Sequence, residues 1–174
     1  MEQNADNMLP IRELTAADGP VIVRAFSALG WHRSEEEYRR YYEQTVRGQR
    51  VVLVAEDEAG FAGYVTIEWA SGYPPFREAG IPEIADFNVL PRCRRRGIGT
   101  ALLDEAERRI GERSKVAGIG VGLYADYGAA QILYVRRGYI PDGRGLWQAG
   151  RHLKFGDTAI VNDDLILYFI KHLR

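Results

Sequence analysis

The sequence predicts a mixed α/β fold, and three observations carry that prediction. Two strand-like runs, Val51–Ala55 and Phe61–Trp69, flank the turn-forming segment Glu56–Gly60 and read as a hairpin. Strand-like and helical periods then alternate: Glu83–Leu90, Gly97–Ile110, Val116–Tyr124 and Gly128–Arg137. An apolar run, Leu165–Ile170, closes the series, so strands first meet directly and afterwards alternate with helices.

The elements can be justified in order. Thr15 is placed to cap a helix whose apolar face is Val21, Ile22, Ala25, Phe26 and Leu29, and Gly30 ends it. Ser34-Glu-Glu-Glu37 has the form of a capping box and opens a second helix carrying Tyr38, Tyr41, Tyr42 and Val46. Ala70–Pro82, with Gly72, Pro74, Pro75, Gly80 and Pro82, reads as a loop. Ile98, Ala101, Leu102, Ala106 and Ile110 share one side of the Gly97–Ile110 helix. Its outward side offers the pairs Asp104/Arg108 and Glu105/Arg109. Asp126 is placed to cap the next helix, and Gly138 suits the left-handed position past its end. Residues 143–162 read as a long excursion.

Composition bounds the possibilities. A chain of 174 residues can bury a real core in one domain, expected over 11–174 after an N-terminal extension of 1–10. Lys and Arg number 23 against 24 for Asp and Glu, so nothing draws the whole chain to nucleic acid or anionic membrane. Cys93 is the single cysteine, which excludes an internal disulfide and suits a reducing compartment. Met1–Pro10 lacks the pattern of a secretion signal, and no apolar run reaches the roughly 20 residues of a membrane span. A cytoplasmic protein is expected. The oligomeric state is not set by the sequence, a homodimer being the commonest closed assembly.

The strongest local signal is Arg94-Arg-Arg-Gly97-Ile-Gly99-Thr100, between a strand and a helix. The first amides of a helix lack internal acceptors and the helix dipole is positive there, so this is an anion site. Gly97 and Gly99 let backbone approach a pyrophosphate, and the arginines supply forked donors. A dinucleotide fingerprint would need Gly or Ala where Leu102 stands, and a Walker loop would need Lys at Thr100.

The pattern Arg-x-x-Gly-x-Gly after a strand resembles motif A of the GNAT superfamily of N-acetyltransferases. Ala130-Gln-Ile-Leu-Tyr134-Val-Arg-Arg-Gly138-Tyr139 resembles its motif B, and Glu83 stands 14 residues before Gly97, where some members carry a general base. Leu14-Thr-x-x-Asp18 and Gly63-Tyr-Val also resemble family openings, so the likeness covers roughly residues 11–140. Tyr127 replaces an Asn that often precedes the motif B Ala.

The resemblance implies a single-domain fold whose central mixed, largely antiparallel sheet is flanked by helices, with a splayed strand pair at the cofactor. It implies acetyl-CoA held by Phe87, Asn88, Val89, Arg94, Arg95, Arg96, Gly97, Ile98, Gly99, Thr100, Ala130, Tyr134 and Arg137. The implied reaction is direct attack by an amine in a ternary complex. Glu83 is the first candidate base and Asp86 the second, with strand alternation setting them on opposite faces. Tyr134 is the candidate acid for the leaving thiolate. Trp31, Trp69, Tyr73 and Phe76, with Asp86, are candidate contacts for a small amine, through aromatic faces and charge. His32, His152 and His172 show no metal-ligand spacing, and no metal is expected. A coenzyme A-binding sensor without turnover, a transferase for protein or peptide amines, and a nucleic-acid module using Arg92–Arg96 are the competing readings.

Overall fold

The computed structural model describes residues 10–174, and apart from Pro10 the expected N-terminal extension lies outside the described residues. In chain order the elements are β1 (Ile11–Glu13), α1 (Asp18–Ser27), α2 (Glu35–Val46), β2 (Arg50–Asp57), β3 (Gly60–Glu68) and α3 (Pro74–Ala79). They continue with β4 (Glu83–Val89), α4 (Ile98–Gly111), β5 (Val116–Gly122), α5 (Gly128–Arg136), β6 (Ile140–Gln148), β7 (Arg151–His152) and β8 (Ile166–His172). The fold is mixed α/β, and the chain forms two compact units. One takes the residues up to Trp69 with Asp86–Arg109, the other Ala70–Ala85 with Ile110–Arg174.

In the first unit the expected hairpin forms β2 and β3, paired antiparallel from Arg50↔Glu68 to Asp57↔Gly60 with an irregularity at Ala55/Glu56. Strand β1 adds to β2, Ile11 opposite Ala55. The end of β4 lies on β3, where the Leu90 amide donates to Ala62 O at 2.9 Å. Gly63 permits this approach, since a Cβ there would sit 2.6 Å from the Asn88 carbonyl oxygen. Helices α1, α2 and α4 bury Ile22, Phe26, Tyr38, Tyr41, Ile98, Leu102, Leu103 and Ala106. The Ile, Leu and Phe side chains among them contribute about 1.5–3 kcal/mol each of apolar burial.

Ser34 caps α2, its Oγ accepting from the Glu37 amide at 3.2 Å. The start of α1 works in reverse of the expectation. Thr15 is not the cap; its amide and hydroxyl both donate to Asp18 Oδ2, at 2.6 and 2.9 Å. Burial pushes the Asp18 carboxyl up, but Arg12 and these Thr15 donors outweigh it and leave it below its ordinary value. On α4, Glu105 holds both Arg108 and Arg109 at 2.7 Å, so one carboxylate serves two arginines.

In the second unit β5 pairs antiparallel with β8 over its whole length, from Val116↔His172 to Gly122↔Ile166. Strand β6 lies on the far side of β8 with a break between Pro141 and Leu146, and β7 folds back on β6. The start of β4 runs parallel to β5 over Glu83↔Gly118 and Ile84↔Ile119. One face of β5 carries Gly118, Gly120 and Gly122. An added Cβ at these would meet the rings of Phe76 (2.2 Å), Tyr168 (2.9 Å) and Tyr127 (2.5 Å).

Three segments differ from expectation. Ala70–Pro82 is not all loop, because Pro74 and Pro75 occupy the first turn of α3, where a missing N–H costs nothing, and Gly80 ends it with φ 64°. Asp126 does not cap α5; it lies in a 3-10 turn, Ala125–Tyr127, that runs straight into the helix. The excursion at 143–162 is partly strand, and its loop is pinned where the Ile160 amide donates to Gln148 Oε1 at 2.9 Å.

Candidate active site

The anion turn lies wholly in the first unit. After Val89 the chain makes a short 3-10 turn, Pro91–Cys93, with Cys93 fully buried and its thiol 3.5 Å from Asp57. Arg95 and Gly97 take positive φ, 59° and 80°. Gly97 needs its freedom for that angle, and the space around it is open. Its carbonyl accepts from the Ala101 amide at 2.9 Å, so the amides of Ile98, Gly99 and Thr100 precede the first helical donor and are left without a helical acceptor. Gly99 has a packing role beside the one its motif suggests. A Cβ there would lie 3.0 Å from the Phe87 ring, so its bareness lets Phe87 seat against the start of α4.

The three arginines are not equivalent. Arg96 reaches Asp57 at 3.0 Å, sharing it with Arg92 at 2.8 Å. Arg94 turns back to the Val89 carbonyl at 3.2 Å. Arg95 is exposed and has no bonded partner among the described residues. A pyrophosphate fits what remains: open space at Gly97, free helix-start amides, and a guanidinium with nothing else to bind.

On β4, Asp86 has φ 40°, a left-handed angle that an ordinary strand residue does not take. This irregularity could not be read from the expected strand alternation. Its carboxylate accepts from Tyr64 (2.6 Å) and Tyr41 (2.9 Å) at Oδ2, and from Asn88 (2.8 Å) and Arg33 (3.4 Å) at Oδ1. Burial first, and then the charge of Asp86, holds the Tyr41 and Tyr64 phenols well above their ordinary range. Four donors already engage Asp86, which weighs against its candidacies as base and as amine contact. Trp31 is partly exposed and stacks on Phe26, ring centroids 5.7 Å apart. A surface cleft of about 490 Å³ opens beside it, lined by His32, Arg33, Ser34, Glu36, Glu37 and Arg40.

In the second unit Glu83 accepts a short hydrogen bond from the Ser71 hydroxyl. Tyr73 and Phe76, expected at the acceptor site, are instead core residues, 1% and 2% exposed, because Tyr73 stacks on Tyr168 at 3.7 Å and Phe76 fills the space over Gly118. The Tyr73 hydroxyl donates to Asp142 at 2.8 Å and lies 2.8 Å from His152 Nε2. That gives His152 a constellation which its sequence spacing hid. Trp69 is half-buried at the end of the hairpin in the first unit, its amide on Gln49 O at 3.3 Å.

Tyr134 is 5% exposed on α5, and its hydroxyl has no hydrogen-bond partner among the described residues. Burial raises this phenol's pKa, so it keeps its proton. Ala130 and Arg137 lie half-buried on the same helix and at its end. Tyr127, in place of the motif's Asn, packs its ring on Gly122 and donates to Asp163 at 2.9 Å, while Gln131 reaches the Gly122 carbonyl at 2.8 Å. Ser71, Tyr41 and Tyr64 were not foreseen, since no motif marks a serine in a loop or tyrosines on a core face. Among the described residues no group of three or more His, Cys, Asp or Glu could hold a metal, and no helix is long and apolar enough to cross a membrane.

The comparisons with known proteins bear on this geometry directly. No curated protein matches the chain. The ribosomal-protein-alanine N-acetyltransferase from Brucella melitensis is 25% identical, with TM-score 0.68, 95% of this chain and 100% of that one being covered. An N-acetyltransferase from Staphylococcus aureus Mu50 (16% identical, TM-score 0.69, 95% and 98% covered) shares the fold. So does yncA from Salmonella typhimurium with its cofactor acetyl-CoA (21% identical, TM-score 0.65, 97% and 95% covered). The model of the acetyltransferase (GNAT) domain matches residues 48–141, more than half of the sequence and including both the anion turn and Tyr134. The chain therefore belongs to the GNAT acetyltransferase family and is an acetyl-CoA-dependent N-acetyltransferase.

Proposed function

We propose that this enzyme acetylates the primary amine of a small molecule by direct attack in a ternary complex. Tyr134 carries the reading: a buried phenol, kept protonated, whose hydroxyl is committed to no other group. Such a proton is available to a leaving thiolate. Acetyl-CoA, when bound, supplies the activated thioester. The amides at Ile98, Gly99 and Thr100 and the Arg95 guanidinium would hold its pyrophosphate, with Phe87, Asn88 and Val89 alongside. Ala130 and Arg137 are further cofactor contacts in this proposal. Glu83 takes the proton that the amine must lose.

The acceptor is assigned to Trp31 and Trp69, with Tyr73, Phe76 and Asp86 set aside for the reasons given above. An exposed indole face attracts an ammonium group by about 0.5–2 kcal/mol. A lysine-rich tail would call for an acidic groove, whereas the cleft beside Trp31 carries Arg33 and Arg40 as well as Glu36 and Glu37. Likeness to the Brucella enzyme supports a second reading, in which a peptide's N-terminal amine is the acceptor. Thiol release measured over a panel of polyamines, aminoglycosides, amino acids and peptide N-termini separates the two. Small amines with an apolar body should give the highest kcat/KM; preference for a peptide over every small amine would overturn the assignment.

A further inference from the structure

We infer that Ser71 is a positioning residue for proton removal, its hydroxyl holding the Glu83 carboxylate ionised and in a single orientation; the inference rests on the reading of Glu83 as the base. Ser71 is 1% exposed, in the turn that precedes α3. Its Oγ accepts the Tyr73 amide at 2.9 Å, and its hydroxyl hydrogen goes to Glu83 Oε2. The Tyr73 amide takes one lone pair of the Ser71 oxygen and a carboxylate can only accept, so the hydroxyl hydrogen turns to Glu83. Tyr73 is immobilised by the Tyr168 ring and by Asp142 and His152, so the amide that occupies the Ser71 oxygen cannot move away. Arg77 Nη1 holds the Ser71 carbonyl at 3.3 Å, closing the turn from the other side. A hydroxyl aimed at a carboxylate stabilises its charged form, which is the form a base needs.

Helix α3 brings Arg77 to the Ser71 carbonyl, β5 faces Glu83 with Gly118, and Asp142 and His152 lie beyond Tyr73. Loss of the Ser71 hydroxyl should be read at Glu83, whose Oε2 is the atom that it donates to.

The test compares wild type, Ser71→Ala, Ser71→Thr and Glu83→Gln by the pH profile of kcat/KM. It adds a carbon NMR titration of side-chain carboxyls in the free protein. Glu83→Gln should abolish the acidic limb and remove one carboxyl resonance. Ser71→Ala should move both the limb and that resonance upward by about one pH unit, the worth of one charge-assisted hydrogen bond. Activity then falls about tenfold below the limb and less than twofold on the plateau, while Ser71→Thr, with its hydroxyl kept, stays near wild type. Equal loss at every pH, or a limb and resonance unmoved in Ser71→Ala while Glu83→Gln abolishes them, overturns the role of Ser71 alone. A limb that survives Glu83→Gln removes the base reading, and the inference with it. Should Ser71→Ala not fold, Ser71→Cys, a weak donor of similar size, is read in the same way.

Discussion

Replacing Asp86 by Asn tests whether its charge holds the first unit together. Asn tolerates the left-handed angle about as well as Asp, so the strain at φ 40° is unchanged and only the acceptor is altered. The amide oxygen can still face Tyr64 and Tyr41, and a flipped Asn88 amide can accept from the new NH2 group. What is lost is the charge on three short bonds, at 2.6, 2.9 and 2.8 Å, and the ion pair with Arg33 at 3.4 Å. Hydrogen bonds to a charged group contribute about 1.5–3 kcal/mol against about 1 kcal/mol for neutral ones, so the substitution should cost about 2 kcal/mol. With a urea slope of about 2 kcal/mol per molar, the unfolding midpoint falls by about 1 M. Urea titration followed by circular dichroism measures this, and a cycle with Tyr64→Phe isolates the strongest bond. Tyr64→Phe should cost about 1 kcal/mol less in the Asp86→Asn background than in wild type. A midpoint shift below about 0.2 M, or equal cost in both backgrounds, would refute the reasoning.

Three further outcomes follow from the site and the core. Gly97→Glu should abolish acetyl-CoA binding by calorimetry, since it puts a carboxylate into the open space of the turn. Tyr134→Phe should leave binding nearly intact and lower kcat roughly ten- to a thousandfold, and unchanged values in either variant would move the corresponding role elsewhere. In alkali, Tyr38, Tyr41, Tyr64, Tyr73, Tyr127 and Tyr134 should resist ionisation, burial being the first cause for each and lifting Tyr38 to about 12. Because the folded values are raised, stability is intact below the unfolded tyrosine value of about 10 and is lost as pH climbs toward the folded ones. Tyrosinate absorbance should therefore rise in step with unfolding; reversible ionisation of all ten tyrosines near pH 10 in the intact fold would contradict this.

Local rules carried much of this architecture. Helix periods, the hairpin and the anion turn depend on neighbours in sequence, so Ile98–Ile110 and Val51–Trp69 could be read directly. The failures share a cause too. The left-handed angle of Asp86 is compensated by Arg33, Tyr41 and Tyr64, all far away in sequence, so nothing local announces it. Pro74 and Pro75 read as breakers from sequence, but their meaning reverses in a helix's first turn. The motif marks Gly99 for a ligand, while the Phe87 ring that also needs its bareness lies twelve residues back on β4. Side chains such as Tyr73 and Phe76 carry the same letters whether they face an acceptor or a core.

Strand β5 has a bearing on how the protein is made. Its glycine face is covered by Phe76, far upstream, and by Tyr168, far downstream, on a strand that sits between β5 and β6. During synthesis β5 leaves the ribosome well before that covering strand, with alternate positions bare and its backbone donors on that side unmatched. The contacts that complete it are of long sequence separation, which slows folding and lengthens exposure. The nascent chain is thus most open to chaperone capture, proteolysis or cross-pairing with another copy in the interval between the emergence of Gly122 and that of Tyr168.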